Sequence, residues 1–209
     1  MNDVNDVRDQ LLAAMYRSFY ADEARFDITL WLRKNDMGQS AFATSRDKLE
    51  LDIGPNGRNL IDSMSNASLI EKRVGSEAVI LPLGIDRCEE DQLVEADMVK
   101  TIRDRRFRLL STIQTLQAQS SDQSRAQTGR VMNETRLNRF ECAPVFKEFE
   151  KRGWTEAPSG QKEGWVCITW EGAQALEQMR ATRPPETDSA APQTDSSGAT
   201  PLSAIKFFD

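Results

Sequence analysis

Apolar and polar positions alternate along this chain mostly with the period of a helix. Val7, Leu11, Leu12, Met15 and Phe19 recur at three- and four-residue spacing behind a polar start, which predicts a helix over 5–20. Phe26, Ile28, Leu30, Trp31 and Leu32 predict a second over about 23–35. The stretch GQSAFATSRDKLELDIG has weaker signals and predicts a short helix at most, and Gly54-Pro55-Asn56-Gly57 predicts a turn. Leu60, Ile61, Met64, Ala67 and Leu69 then fall on one side of a third helix. In LIEKRVGSEAVILPL two β-prone runs flank Val74-Gly75-Ser76-Glu77, which predicts a hairpin. The longest helix is expected over 92–118, on the stripe Val94, Met98, Ile102, Phe107, Leu109, Leu110, Ile113 and Leu116. SSDQS breaks it, and helical signals resume over about 124–139 with Val131, Met132 and Leu137. Pro144 suits the first turn of a helix covering PVFKEFEKR, because a first-turn residue needs no N–H partner. A second hairpin follows in KRGWTEAPSGQKEGWVCITWEG, and a last helix over 171–181.

The same order therefore occurs twice: helices, then a basic helix end, then a hairpin with a glycine-containing tip and a more apolar second strand. MSNASLIEKR precedes the first hairpin and VFKEFEKRGW the second. In LNRFECAPVFKEFEKRGWTEAPSGQKEGWVCITWEGAQALEQM, Phe146 and Phe149 pack a third helix, Gly153 ends it and Trp154 starts the hairpin. Ile168-Thr169-Trp170-Glu171-Gly172 closes the hairpin and starts the next helix. This cadence resembles the winged-helix superfamily, and in particular bacterial MarR- and PadR-type regulators. In the first copy Val79-Ile80-Leu81-Pro82-Leu83 stands in place of the Ile-Thr-x-x-Gly close. Two such copies in one acidic chain are also similar, in architecture alone, to the KITE subunits of SMC (condensin-like) complexes. The expected fold is mainly α with small β-hairpins (α+β): tandem winged helix-turn-helix domains over 1–90 and 91–181, the second opened by the long helix.

From residue 182 the composition changes. TRPPETDSAAPQTDSSGATP has no aromatic or large aliphatic side chain and cannot bury enough apolar surface to offset the entropy of ordering, so 182–209 reads as a disordered tail. Its tip is apolar again. Ile205, Phe207 and Phe208 in PLSAIKFFD are similar in spacing to bacterial sliding-clamp peptides, which implies a tail-docking partner; a tip that folds back on the domain, or does nothing, is the alternative.

Composition narrows the chemistry. The chain has no histidine, which closes the commonest routes to general-base and nucleophilic catalysis, and its three cysteines are widely spaced. Glu89-Glu90-Asp91 lacks a partner base and reads as linker solvation. No cofactor or metal is implied, and the expectation is a protein that is not an enzyme. No apolar run approaches a membrane span, the N-terminus is polar, and a cytoplasmic location with reduced thiols is expected.

Charge is distributed unevenly. Residues 1–99 carry a net −8, residues 100–152 a net +6 and residues 153–209 a net −4, within a total of −6. Lys100, Arg103, Arg105, Arg106, Arg108, Arg130, Arg136, Arg139, Lys147, Lys151 and Lys162 form the candidate surface for double-stranded DNA, since clustered cations neutralise phosphates. A solvated helix face with internal ion pairs is the competing reading. Arg58 and Asn59 on the first copy's third helix are candidate base readers, although an ordinary helix-surface role is the favoured reading. Trp31, Trp154, Trp165 and Trp170 fall on apolar positions and are expected to pack in core and wing. The acidic first domain fits protein, as a homodimer or with a larger subunit. The leading expectation is a bacterial DNA-binding regulator; the alternative is a KITE-like adaptor in an SMC-type or other DNA-handling complex.

Overall fold

A computed structural model describes residues 4–22, 26–34, 55–120, 125–157 and 164–183. The first half runs α1 (Val4–Tyr20), β1 (Phe26–Asp27), α2 (Ile28–Lys34), α3 (Pro55–Asn66), β2 (Ile70–Lys72), β3 (Glu77–Ile80) and α4 (Pro82–Glu90). The second repeats it as α5 (Ala96–Gln119), β4 (Ala126–Gln127), α6 (Thr128–Thr135), α7 (Arg139–Lys151), β5 (Thr155–Glu156), β6 (Trp165–Ile168) and α8 (Trp170–Thr182). The fold is α+β: mainly helical, with two small antiparallel sheets of order β1-β3-β2 and β4-β6-β5.

The repeat holds down to single hydrogen bonds. α3 and α7 end in the same way, with Ser68 and Gly153 at positive φ and with Leu69 N–H and Trp154 N–H donating to the carbonyls of Met64 and Phe149. Leu81 N–H then donates to Leu69 O, as Thr169 N–H does to Trp154 O. Gly84 and Gly172 sit in the first turns of α4 and α8 against those same carbonyls. A Cβ at either would strike backbone, and would also come within 2.9 Å of Ile80 Cγ1 or Ile168 Cγ1. The first copy thus keeps the Ile-x-x-x-Gly spacing of the second, as Ile80 and Gly84. Only the helix start differs. Thr169 Oγ1 accepts from Gly172 N–H to cap α8, whereas α4 opens with Pro82, which has no N–H to satisfy.

Several expected boundaries move. The helix expected over about 23–35 begins only at Ile28, because Phe26 pairs with Ala78 in β1. Ala126 pairs with Val166 in the same way, so the segment after α5 is a strand before it is a helix. The long helix starts at Ala96, and the linker expected around Glu89 belongs to α4. Pro144 lies inside α7 rather than in its first turn. Asn138 and Glu141 form a capping box that starts this helix five residues before Pro144, an Asn-x-x-Glu signal legible in the sequence.

Leu11, Leu12, Met15 and Tyr16 of α1, Ile85 and Cys88 of α4, Leu109, Leu110 and Ile113 of α5, Val145 and Phe149 of α7 and Leu176 of α8 belong to one continuous buried cluster. The two halves share this core. The tip of the second hairpin with Lys162, and the tail with Ile205, Phe207 and Phe208, lie outside the described residues. Among the described residues no helix is long and apolar enough to cross a membrane.

Candidate nucleic-acid interface

The basic segment of α5 does not form one outward face. A helix turns about 100° per residue, and that rotation sends Arg106 inward among Ile102, Leu109 and Leu110, where it is 5% exposed. Its Nε donates to Glu148 Oε2 at 2.8 Å and its Nη2 to Glu89 Oε1 and the Tyr20 hydroxyl, both at 2.6 Å. Tyr20 donates to Glu148 Oε2 at 2.6 Å and Tyr16 to Glu89 Oε1 at 2.9 Å. The outer oxygens are taken as well. Arg103 donates to Glu89 Oε2 at 3.0 Å, and Arg152 to Glu148 Oε1 at 2.7 Å. Arg152 also grips Asp86 with both terminal nitrogens, at 2.6 and 3.1 Å. Three arginines meet three carboxylates in a joint drawn from α1, α4, α5 and α7 that carries no net charge, with Arg106, Glu89 and Glu148 buried and Arg103 and Asp86 reaching solvent at its rim.

Burial alone raises the Glu89 carboxyl, but the Arg106 hydrogen bond and charge, with help from Arg103 and Tyr16, outweigh it and hold the group below its ordinary value. For Arg106, desolvation pulls down while Glu148, Tyr20 and Glu89 push up, and the result is a guanidinium held more firmly charged than usual. Tyr16 and Tyr20 are raised, first by burial and then by the neighbouring carboxylates, so both phenols remain donors.

Around this joint, further candidate cations are held by the protein itself. Lys147 donates to Asp22 and Lys151 to Glu71, each at 2.7 Å, so α7 of the second half turns these lysines to the first half. Arg105 donates to Glu141 at 2.6 Å, and Arg108 to the Thr135 carbonyl at the end of α6. Of the residues expected on a DNA-facing surface, Arg106 does not reach the surface, and Arg103, Arg105, Arg108, Lys147 and Lys151 hold parts of the fold together.

Lys100, Arg130, Arg136 and Arg139 are exposed. Arg130 stands in the first turn of α6, and Arg136 and Arg139 flank the corner between α6 and α7. Arg136 turns that corner at φ 55°, Asn138 caps α7, and Arg139 and Phe140 open it, with Phe140 72% exposed. Arg105 and Arg108 fix the corner from behind through Glu141 and Thr135. On α3 the outward side chains are Arg58, Asn59, Asp62, Ser63 and Asn66, with Lys72 of β2 paired to Asp62. Among the four tryptophans, Trp170 departs from expectation: it is 70% exposed at the start of α8.

Sequence reasoning missed Glu89, Glu148, Asp86, Tyr16 and Tyr20 as a set. Its one usable signal was polarity at core spacing. Glu148 falls between Val145 and Phe149, and Arg106 between Ile102 and Leu109, on faces that are otherwise apolar. No known protein family, curated protein or solved structure matches this chain.

Proposed function

We propose that this chain is a non-enzymatic, DNA-associated protein made of two winged-helix units, acting as a regulator that meets double-stranded DNA at the α6–α7 corner. The observation that carries this reading is the exposure of Arg136, which ends α6, and of Arg139 and Phe140, which open α7. In a helix-turn-helix the second helix enters the major groove with its N-terminal residues against base edges, and arginine there reaches phosphate or guanine. Lys147 and Lys151, further along α7, take no part in this surface. Fluorescence anisotropy with duplex DNA from the chain's own promoter region, run from about 50 to 200 mM salt, tests the reading. Arg136→Ala with Arg139→Ala should weaken binding and reduce the salt slope by about two. Unchanged affinity and slope in that double variant refute the assignment of the corner.

The orientation of α7 supports a second reading, a KITE-like adaptor in an SMC-type complex. Lys147 and Lys151 are engaged by Asp22 and Glu71, and the first half of the chain repels phosphate. On that reading the intact chain fails to bind duplex DNA even at about 50 mM salt, and forms a stoichiometric complex with a purified SMC-type ATPase or its kleisin-like subunit.

A further inference from the structure

The joint between the halves is one-sided. α7 and the N-terminal half of α5 belong to the second half and pack on α1 and α4 of the first. The helices that correspond to this acceptor surface in the second half are α5 and α8. Leu11, Leu12 and Met15 stand on α1 as Leu109, Leu110 and Ile113 stand on α5, and Gly84 stands on α4 as Gly172 stands on α8. In that register Gln114, Gln174 and Glu177 take the places of Tyr16, Asp86 and Glu89. At that place the surface holds a cleft of about 410 Å³ lined by Gln114, Trp170, Ala173, Gln174, Glu177 and Gln178. Trp170, the most exposed tryptophan side chain described, forms its wall.

We infer that this cleft receives the first half of a second copy of the chain, so that the contact inside one chain is repeated between chains. The charges argue for this occupant. In the joint, Arg106 meets Glu89 and Arg152 meets Asp86. At the corresponding places between copies, Arg8 on α1 stands for Arg106 and faces Glu177 for Glu89, so opposite charges are kept. Ala67 at the end of α3 stands for Arg152 and faces Gln174 for Asp86, so both charges are lost together. Arg8 pairs only with its neighbour Asp9 among the contacts described, and Glu177 only with Arg180 on its own helix; both are partly exposed and within reach of a partner. Asp62 and Asn66 replace Lys147 and Lys151, so the rim pairs of the joint are missing and the contact between copies is weaker than the one within the chain. Because donor and acceptor are different surfaces, the contact is head-to-tail and builds rings or open chains rather than a two-fold dimer.

Sedimentation velocity from about 1 to 200 µM tests the inference in a range where weak self-contacts are seen. The intact chain should rise above its monomer mass of 23.6 kDa with concentration. Glu177→Arg alone and Arg8→Glu alone should each keep the chain monomeric with an unchanged far-ultraviolet circular dichroism spectrum. An equal mixture of the two variants should associate again, because each then offers the other opposite charges on both surfaces. A wild-type chain that stays monomeric throughout, reversals that leave the mass unchanged, or a mixture that fails to reassociate overturns the proposal. So does a chain whose self-association is abolished by deleting 201–209, for then the tail is the occupant. None of these outcomes depends on DNA, so the functional reading and this one fail separately.

Discussion

Replacing Arg106 with methionine is the sharpest test of the buried joint. The substitution keeps an unbranched apolar stem and removes the guanidinium that donates to Glu148, Glu89 and Tyr20. At an effective dielectric near 20, opposite charges at about 4 Å attract by about 4 kcal/mol. Glu148 is 0% exposed and, among the described residues, keeps Arg152 as its charged partner, while Glu89 keeps Arg103. Stranding part of a buried carboxylate's charge typically costs about 3–5 kcal/mol. For a chain of this size that lowers Tm by roughly 6–20 °C. Urea unfolding at pH 7, followed by tryptophan fluorescence and circular dichroism, measures the change, with coincident transitions confirming one cooperative step. Adding Glu89→Gln and Glu148→Gln to the methionine variant should recover much of the loss, since the uncompensated charges are then gone. The acid side has a definite sign. The folded Glu89 carboxyl lies below its unfolded value, so its contribution is complete above about pH 4.3 and is lost as pH falls through the folded value. The gap between wild type and variant should therefore narrow below about pH 4. A loss under about 1 kcal/mol at pH 7 would show that these groups are solvated and would refute the argument.

Gly84→Ala and Gly172→Ala should each destabilise by about 1–3 kcal/mol or more, because the new methyl meets the Leu69 or Trp154 carbonyl, whereas Gly129→Ala in α6 meets nothing within 4 Å and should stabilise by about 0.5–1 kcal/mol in the same urea titration. With a thiol-specific reagent at pH 8, Cys167 should react first. Burial pushes Cys88 up to about 12 and Cys142 up to about 11, so both should stay silent until the chain unfolds. The folded values of those two thiols lie above the unfolded one, so their contribution is whole below about pH 8.5 and is lost as pH rises from there towards the folded values.

The helical periods of α1, α3 and α5 and both hairpins are legible because a half-buried element writes its own spacing into the chain. The strands β1 and β4 are not, since two-residue strands have no period and exist only because β3 and β6 lie beside them. α4 was hidden by its apolar opening, which extends the β-prone run of β3; Pro82 at its first position was the signal to end the strand. The sequence shows α7 clearly only from Pro144 onward, while its true start is fixed by the Asn138–Glu141 capping box.

The candidate interface was legible as a count of basic residues and illegible as a surface. Sequence by itself determined the longer helices, the two hairpins, their repetition and the basic middle, because each depends on neighbours in the chain. Only the tertiary structure decided that Arg106 lies in the core while Arg139 lies outside, and that Lys147 and Lys151 meet Asp22 and Glu71. Glu148 lies 42 residues from Arg106, Glu71 80 from Lys151 and Asp22 125 from Lys147. A carboxylate at that separation fixes the role of a cation only once packing has brought the two within hydrogen-bond distance and taken away their water.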